Sequence, residues 1–334
     1  MYNFSLTICK NRIFIRIDCV YLYKFIESML NRRILRVKAF KALYAYAENP
    51  GMSLADTEAY LCASCEATRE LYLFLLSSIV PLTGEAEQRI RAAQEKFNPT
   101  EEERNPNLKF VNNSLTKYFA QDPDFVKIIG KKKYAWDQYD VFLYNLYETV
   151  SSSPYFRKYM ESGESSLKED AALWVKIFEN CYEDNNDLAA ILEDLSMFWS
   201  DDLGYALLCC VRTLQEIGNG GQWKLPPLYQ SEMPGSGKPE SDKAFVTNLL
   251  RKAYARFSEY MQMIDERTPK WDLDRICVTD LCLIACGLAE SEAFPEVSPR
   301  IIINEYVEIS KYYSTPVSRQ FVNGLLDRII NKKD

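Results

Sequence analysis

The chain has 334 residues, of which 47% are hydrophobic and 26% charged, so it can bury a core and is no disordered tail. It contains no histidine, which excludes every nucleophile–histidine dyad or triad and removes the commonest general base and metal ligand. Forty Lys and Arg against forty-seven Asp and Glu give a net charge of −7, a balance that, taken as one number, argues against a nucleic-acid binder.

In chain order, residues 1–28 match nothing that follows. Phe14-Ile15-Arg16-Ile17-Asp18 is too interrupted by charge for a signal-peptide core, and we expect a non-native extension with the true start at Met29. Almost everything after it has apolar residues recurring at three and four, which predicts helices over 31–47, 53–79, 85–97, 114–120, 137–150, 168–182, 187–198, 202–217, 242–264, 272–290, 300–313 and 317–331. Breakers separate them at Asn49-Pro50-Gly51, Pro81, Asn105-Pro106-Asn107, Asp122-Pro123 and Pro154. Residues 218–241 hold five of the twelve glycines and four of the fourteen prolines, and read as a linker or a long surface loop. The expected class is therefore all-α. At an offset of 72, Tyr182, Trp199, Asp202 and Cys210 fall on Tyr254, Trp271, Asp274 and Cys282, which is either a duplicated helical unit or the chance agreement of two amphipathic stretches at a near-integral number of turns.

The ten cysteines lie mostly in apolar helical runs and read as reduced core residues. No apolar run approaches the ~20 residues a membrane helix needs, so a cytoplasmic protein with no membrane partner is expected. Cys62-Ala63-Ser64-Cys65 has metal or redox spacing but no second pair and no histidine to complete a site, so neither a metal nor a cofactor is expected. Gly235-Ser236-Gly237-Lys238 lacks the first glycine, the following Ser or Thr and the preceding strand of a phosphate-binding loop. Lys131-Lys132-Lys133 reads as a solvated turn, Glu101-Glu102-Glu103 as a loop, and Asp201-Asp202 as a helix start.

The informative segment is 29–47. It carries Arg32, Arg33, Arg36, Lys38 and Lys41 with no acid before Glu48, so five positive charges sit in a remainder of −12. At 100° per residue, Leu35, Ala39, Ala42, Leu43 and Tyr46 form one apolar face, and Arg32, Arg33 and Arg36 share a neighbouring arc. Guanidinium groups on one surface can bind phosphate oxygens and stack on bases, as a single-stranded nucleic-acid site requires. The alternative is an ordinary solvated helix face.

Arg32-Arg33-x-x-Arg36-x-x-Ala39-x-x-Ala42-Leu43-Tyr44 resembles the opening helix of the NusB family of bacterial transcription antitermination factors. Lys243-Ala244-Phe245-Val246-Thr247-Asn248-Leu249-Leu250 is similar to the start of its long central helix. Trp271-Asp272-Leu273-Asp274-Arg275-Ile276, then Ile303-Asn304-Glu305, then Phe321-Val322-Asn323-Gly324 resemble its last three helices. The resemblance implies a NusB-like helical bundle: 29–47 as its basic first helix, 48–217 as an inserted helical region of unknown role, 218–241 as linker, and 242–334 as its C-terminal helical domain.

It implies further a non-enzymatic protein that binds single-stranded boxA-type RNA of nascent ribosomal transcripts together with ribosomal protein NusE, in an RNA polymerase antitermination complex. Arg32, Arg33, Arg36, Lys38 and Lys41 would then face RNA, with Tyr313 and Phe321 as aromatic contacts. The alternative for Phe321 is packing at the rim of the core. Two departures stand out: Val37 replaces the usual acid after the third arginine, and Thr315-Pro316-Val317 replaces an acidic turn. Two other readings remain. A helical adaptor without RNA binding would use the inserted region. An RNA cytosine methyltransferase with a NusB-like domain would need a Gly-rich loop after a strand, whereas Gly218-Asn219-Gly220-Gly221 follows a helix, and no catalytic cysteine motif is evident.

Overall fold

The computed structural model describes residues 28–132, 134–230, 241–269 and 275–331, and they are helical with no strand among them. The helices are α1 (Arg32–Glu48), α2 (Leu54–Ser77), α3 (Ile79–Gln94), α4 (Glu101–Arg104), α5 (Ser114–Gln121), α6 (Pro123–Lys132), α7 (Asp140–Ser152), α8 (Pro154–Glu161), α9 (Leu167–Cys181), α10 (Asn186–Leu195), α11 (Leu203–Gly218), α12 (Asp242–Ala255), α13 (Phe257–Arg267), α14 (Val278–Ala293), α15 (Pro299–Tyr313) and α16 (Pro316–Ile330). Among the described residues no helix is long and apolar enough to cross a membrane. The extension before residue 28, Gly235-Ser236-Gly237-Lys238 and Trp271–Asp274, with half of the offset-72 echo, lie outside the described residues.

Pro81, Pro123 and Pro154, expected to separate helices, stand at helix boundaries, each in the first turn of the helix that follows. Pro123 and Pro154 occupy the first helical position, where a missing N–H costs nothing, and the preceding Asp122 and Ser153 side chains accept from the amides of Phe125 and Phe156 at 2.8 and 3.2 Å. Pro81 lies in the first turn of α3, and the break falls at Ser78, whose Oγ turns back to the Leu75 carbonyl. Glu101-Glu102-Glu103 forms the short helix α4, because Thr100 and Glu103 satisfy each other's amides in a capping box. Lys131 and Lys132 form the last turn of α6. The helix expected over 242–264 is two, parted at Arg256.

The described residues fall into two compact units. One takes residues 28–66 and 227–331. Its centre is α14, buried from Asp280 to Glu290, against which α1, α12, α13, α15 and α16 pack. A Cβ at Gly287 would meet Leu326 Cδ2 at 2.8 Å, so the absence of a side chain lets α16 close on α14. Met29 and Leu30, both fully buried, lead into α1 by donating their amides to the carbonyls of Pro227 and Leu228.

The other unit takes residues 67–226 and is built on the pair α9 and α11. An aromatic core runs through Phe110, Trp174, Phe178 and Tyr182, the last two stacked at 4.6 Å. Asn113 caps α5 and accepts from Trp174 Nε1, while Asp170 accepts from Tyr159 Oη at 2.7 Å and from the Ser114 amide at 2.6 Å. After α11, Gly220 takes a φ of +91°, and the chain is then held down by Trp223, whose Nε1 donates to Tyr72 Oη at 3.0 Å.

Candidate RNA-facing surface on the basic helix

Asn31 starts α1 by accepting from the Ile34 amide with its side chain. The arginines that follow meet carboxylates delivered by three different helices. Arg32 Nε donates to Asp242 Oδ1 at 2.6 Å, at the start of α12, and its guanidinium lies 4.1 Å from the centre of the Phe245 ring. Arg33 grips Glu305 of α15 as a fork, Nε to Oε2 at 3.0 Å and Nη2 to Oε1 at 2.7 Å. Arg36 grips Glu290 of α14 and reaches Glu305 with Nη1 at 3.4 Å.

These pairs differ in depth. The Arg36 and Glu290 side chains are 8% and 0% exposed, whereas those of Arg33 and Glu305 are 37% and 15% exposed. Burial works against the charge on Arg36, but the hydrogen bonds and charge of Glu290 outweigh it and raise its pKa. The Arg33 pKa is raised chiefly by its hydrogen bonds to Glu305. Burial alone would push the Glu305 pKa up, yet the bonds from Arg33 and the charge of Arg36 hold it below the ordinary carboxylate value. Tyr306 Oη donates to Glu290 at 2.9 Å and completes the buried cluster; its own pKa is pushed well up by burial and by the Glu290 charge.

The expectation that the three arginines share one outer surface is therefore corrected. Arg36 is drawn inside by Glu290, and Lys38 is buried at 1% exposure on the inward side of α1. Arg32 and Arg33 remain partly exposed, as does Lys41, whose Nζ lies 5.5 Å from the centre of the half-buried Tyr313 ring. Arg33 meets Glu305 and, eight residues further along each helix, Lys41 meets Tyr313, so α1 and α15 run side by side in the same direction here. That edge is about 12 Å long at 1.5 Å per residue.

Phe321 is half-buried and lines a hollow of ≈ 420 Å³ between α16 and the segment after α13, with Gln320, Gly324, Arg328, Arg267 and Pro269. Arg328 Nη1 donates to the Arg267 carbonyl at 3.2 Å, which fixes one rim. The missed residues here are the acids. Asp242, Glu290 and Glu305 each follow ordinary helical patterning, and the motif Ile303-Asn304-Glu305 carries no sign of the role of its carboxylate. Among the described residues no cluster of His, Cys, Asp and Glu could hold a metal, and Cys62 is exposed while Cys65 is buried on α2.

A model of the NusB family matches residues 229–331, which take in α12 to α16 with their carboxylates and the hollow beside Phe321. The chain is similar to proteins named transcription antitermination protein NusB. With that of Salinibacter ruber it shares 34% identity over 90 residues, 27% of this chain and 56% of the relative. With that of Methylacidiphilum infernorum it shares 34% over 108 residues, 32% and 68% respectively, and with that of Finegoldia magna 30% over 95 residues, 28% and 69%. No solved structure matches. The chain thus spans little more than half of the first of these relatives, but more than two thirds of the other two at 30% identity or better, and it belongs to the NusB family.

Proposed function

We propose that the protein is an RNA-binding transcription antitermination factor of the cytoplasm, acting by recognition and not by catalysis. It holds single-stranded boxA-type RNA of nascent ribosomal transcripts, together with ribosomal protein NusE, in an RNA polymerase antitermination complex. The observation that carries this reading is the edge formed by Arg33, Lys41 and Tyr313, which offers two cations and an aromatic ring to solvent on a member of this family. Arg32 extends the edge, Phe321 offers a second aromatic contact, and Arg36 and Lys38 support α1 from inside. Residues 67–226 are a helical unit inserted into the bundle.

The test is binding of a labelled boxA-type single strand over a salt series, with and without NusE, by the parent and by Arg33→Ala/Lys41→Ala. We expect weaker binding, and a salt slope shallower by about 0.7 for each lost phosphate contact to a single strand. Equal affinity and slope in the double variant would overturn the assignment of this edge.

One observation favours a second reading, a helical adaptor that leaves RNA alone. Each arginine of α1 already has a carboxylate partner, which lowers the field it offers to an anion. No RNA binding by the parent, with or without NusE, would select it.

A further inference from the structure

Among the described residues, the arginine–carboxylate pairs Arg36–Glu290 and Arg32–Asp242 on α1 are closed on the side of the acid. Arg36 and Glu290 are sealed from solvent, with Tyr306 as a third partner. Asp242, 3% exposed in its side chain, is tied to Arg32 and also accepts from the Gln230 amide at 3.3 Å. The pair Arg33–Glu305 differs in two respects. Both side chains reach solvent, and Glu305 has a second cation at hand, Arg36 Nη1 at 3.4 Å. If Arg33 swings away, Glu305 is left beside a positive charge and not orphaned, so the exchange avoids the large penalty of an unpaired buried carboxylate.

A carboxylate accepting two parallel N–H bonds from a guanidinium presents the same oxygen geometry as a phosphate. Resting on the RNA-binding reading above, we infer that Glu305 is an internal stand-in for phosphate, which holds Arg33 in the unbound protein and yields it to the RNA backbone on binding. Three consequences follow from that exchange. Arg33 is preorganised, with its fork already formed at the protein edge. A weakly held anion does not displace Glu305, so the site discriminates against casual polyanion contact. Part of the attraction of Arg33 for RNA is also offset by the lost carboxylate, and so the parent binds less tightly than its exposed cations alone would allow.

The decisive variant is Glu305→Gln, which cannot hold Arg33 as an ion pair. For the boxA-type strand, the variant should bind roughly two- to fivefold more tightly than the parent, the worth of a partly exposed ion pair. Its salt slope should match that of the parent, because Arg33 meets phosphate in both bound states and only the cost of releasing it differs. Adding Arg33→Ala to Glu305→Gln should erase the gain in affinity and make the slope shallower by about 0.7, which ties the gain to this arginine. Because Glu305 also touches Arg36, the unaltered protein supplies a control: in an NMR titration of the arginine Nε–H groups, RNA should shift the Arg33 resonance and leave Arg36 in place.

Binding by the parent with no gain in Glu305→Gln, or a gain that survives loss of Arg33, would overturn the role of Glu305. So would Arg33 and Arg36 resonances that shift together, or an Arg33 resonance that stays in place while RNA is bound. No binding by parent or variant would instead overturn the RNA-binding reading, and this inference with it.

Discussion

The Arg36 guanidinium holds the Glu290 carboxylate through Nε and Nη2 at 2.8 and 2.6 Å, sealed between α1 and α14. Such a pair contributes little net stability over an apolar pair, but breaking it strands one charge in the core. Glu290→Ala should therefore lower stability by about 3–5 kcal/mol. Glu290→Leu combined with Arg36→Met should recover most of the loss. Urea midpoints of the three proteins check this, and a single variant as stable as the parent would contradict it.

Arg33 and Arg36 are separated by one turn of the same helix but should fail in different ways. Arg33→Ala, at a half-exposed site, should cost less than about 1 kcal/mol of stability while reducing the RNA salt slope. Arg36→Ala should do the reverse, with a large fall in melting temperature and an unchanged slope in whatever fraction remains folded. Melting curves and salt titrations on the same samples separate the two.

Stability should fall in acid, and the sign follows from two carboxylates of this unit. The folded pKa of Glu305 is held below its ordinary 4.5 against the effect of burial by hydrogen bonds from Arg33, and that of Glu292 likewise by hydrogen bonds from Arg256. A depressed folded pKa adds stability that is fully present above the unfolded value and is lost as pH falls through the folded one. Denaturant midpoints should thus be level near neutral pH and decline below pH 4.5. In Glu305→Gln the decline should be shallower, and an equally steep decline would show that Glu305 contributes none of it.

Within residues 67–226 the polar cluster Asn113, Tyr159 and Asp170 is buried and satisfied. Asp170→Ala leaves the Tyr159 hydroxyl without its acceptor and the Ser114 amide without its partner, each loss costing about 1–3 kcal/mol. Far-UV circular dichroism during thermal melting should show this unit loosening first. RNA binding at α1 should persist at temperatures where the parent is folded.

Much of the helical architecture was legible because local rules settle it. The apolar stripe of Leu35, Ala39, Ala42 and Leu43 and the apolar run of α14 each announce their element from neighbouring residues alone. The helices that begin at Pro123 and Pro154 were not legible, because a proline that stops one helix and a proline that opens the next look alike until the Asp122 and Ser153 caps are seen. The break at Arg256 left no mark, since the apolar period continues across it.

The amino-acid sequence by itself determined the all-helical class, the family motifs and the concentration of positive charge on α1. Only the tertiary structure decided which of those charges reaches solvent. Helical projection places Arg32, Arg33 and Arg36 on one arc, because it knows only the axis of its own helix. Their partners Asp242, Glu290 and Glu305 arrive from α12, α14 and α15, more than 200 residues along the chain, and the depth at which each carboxylate meets its arginine separates a buried strut from an open edge.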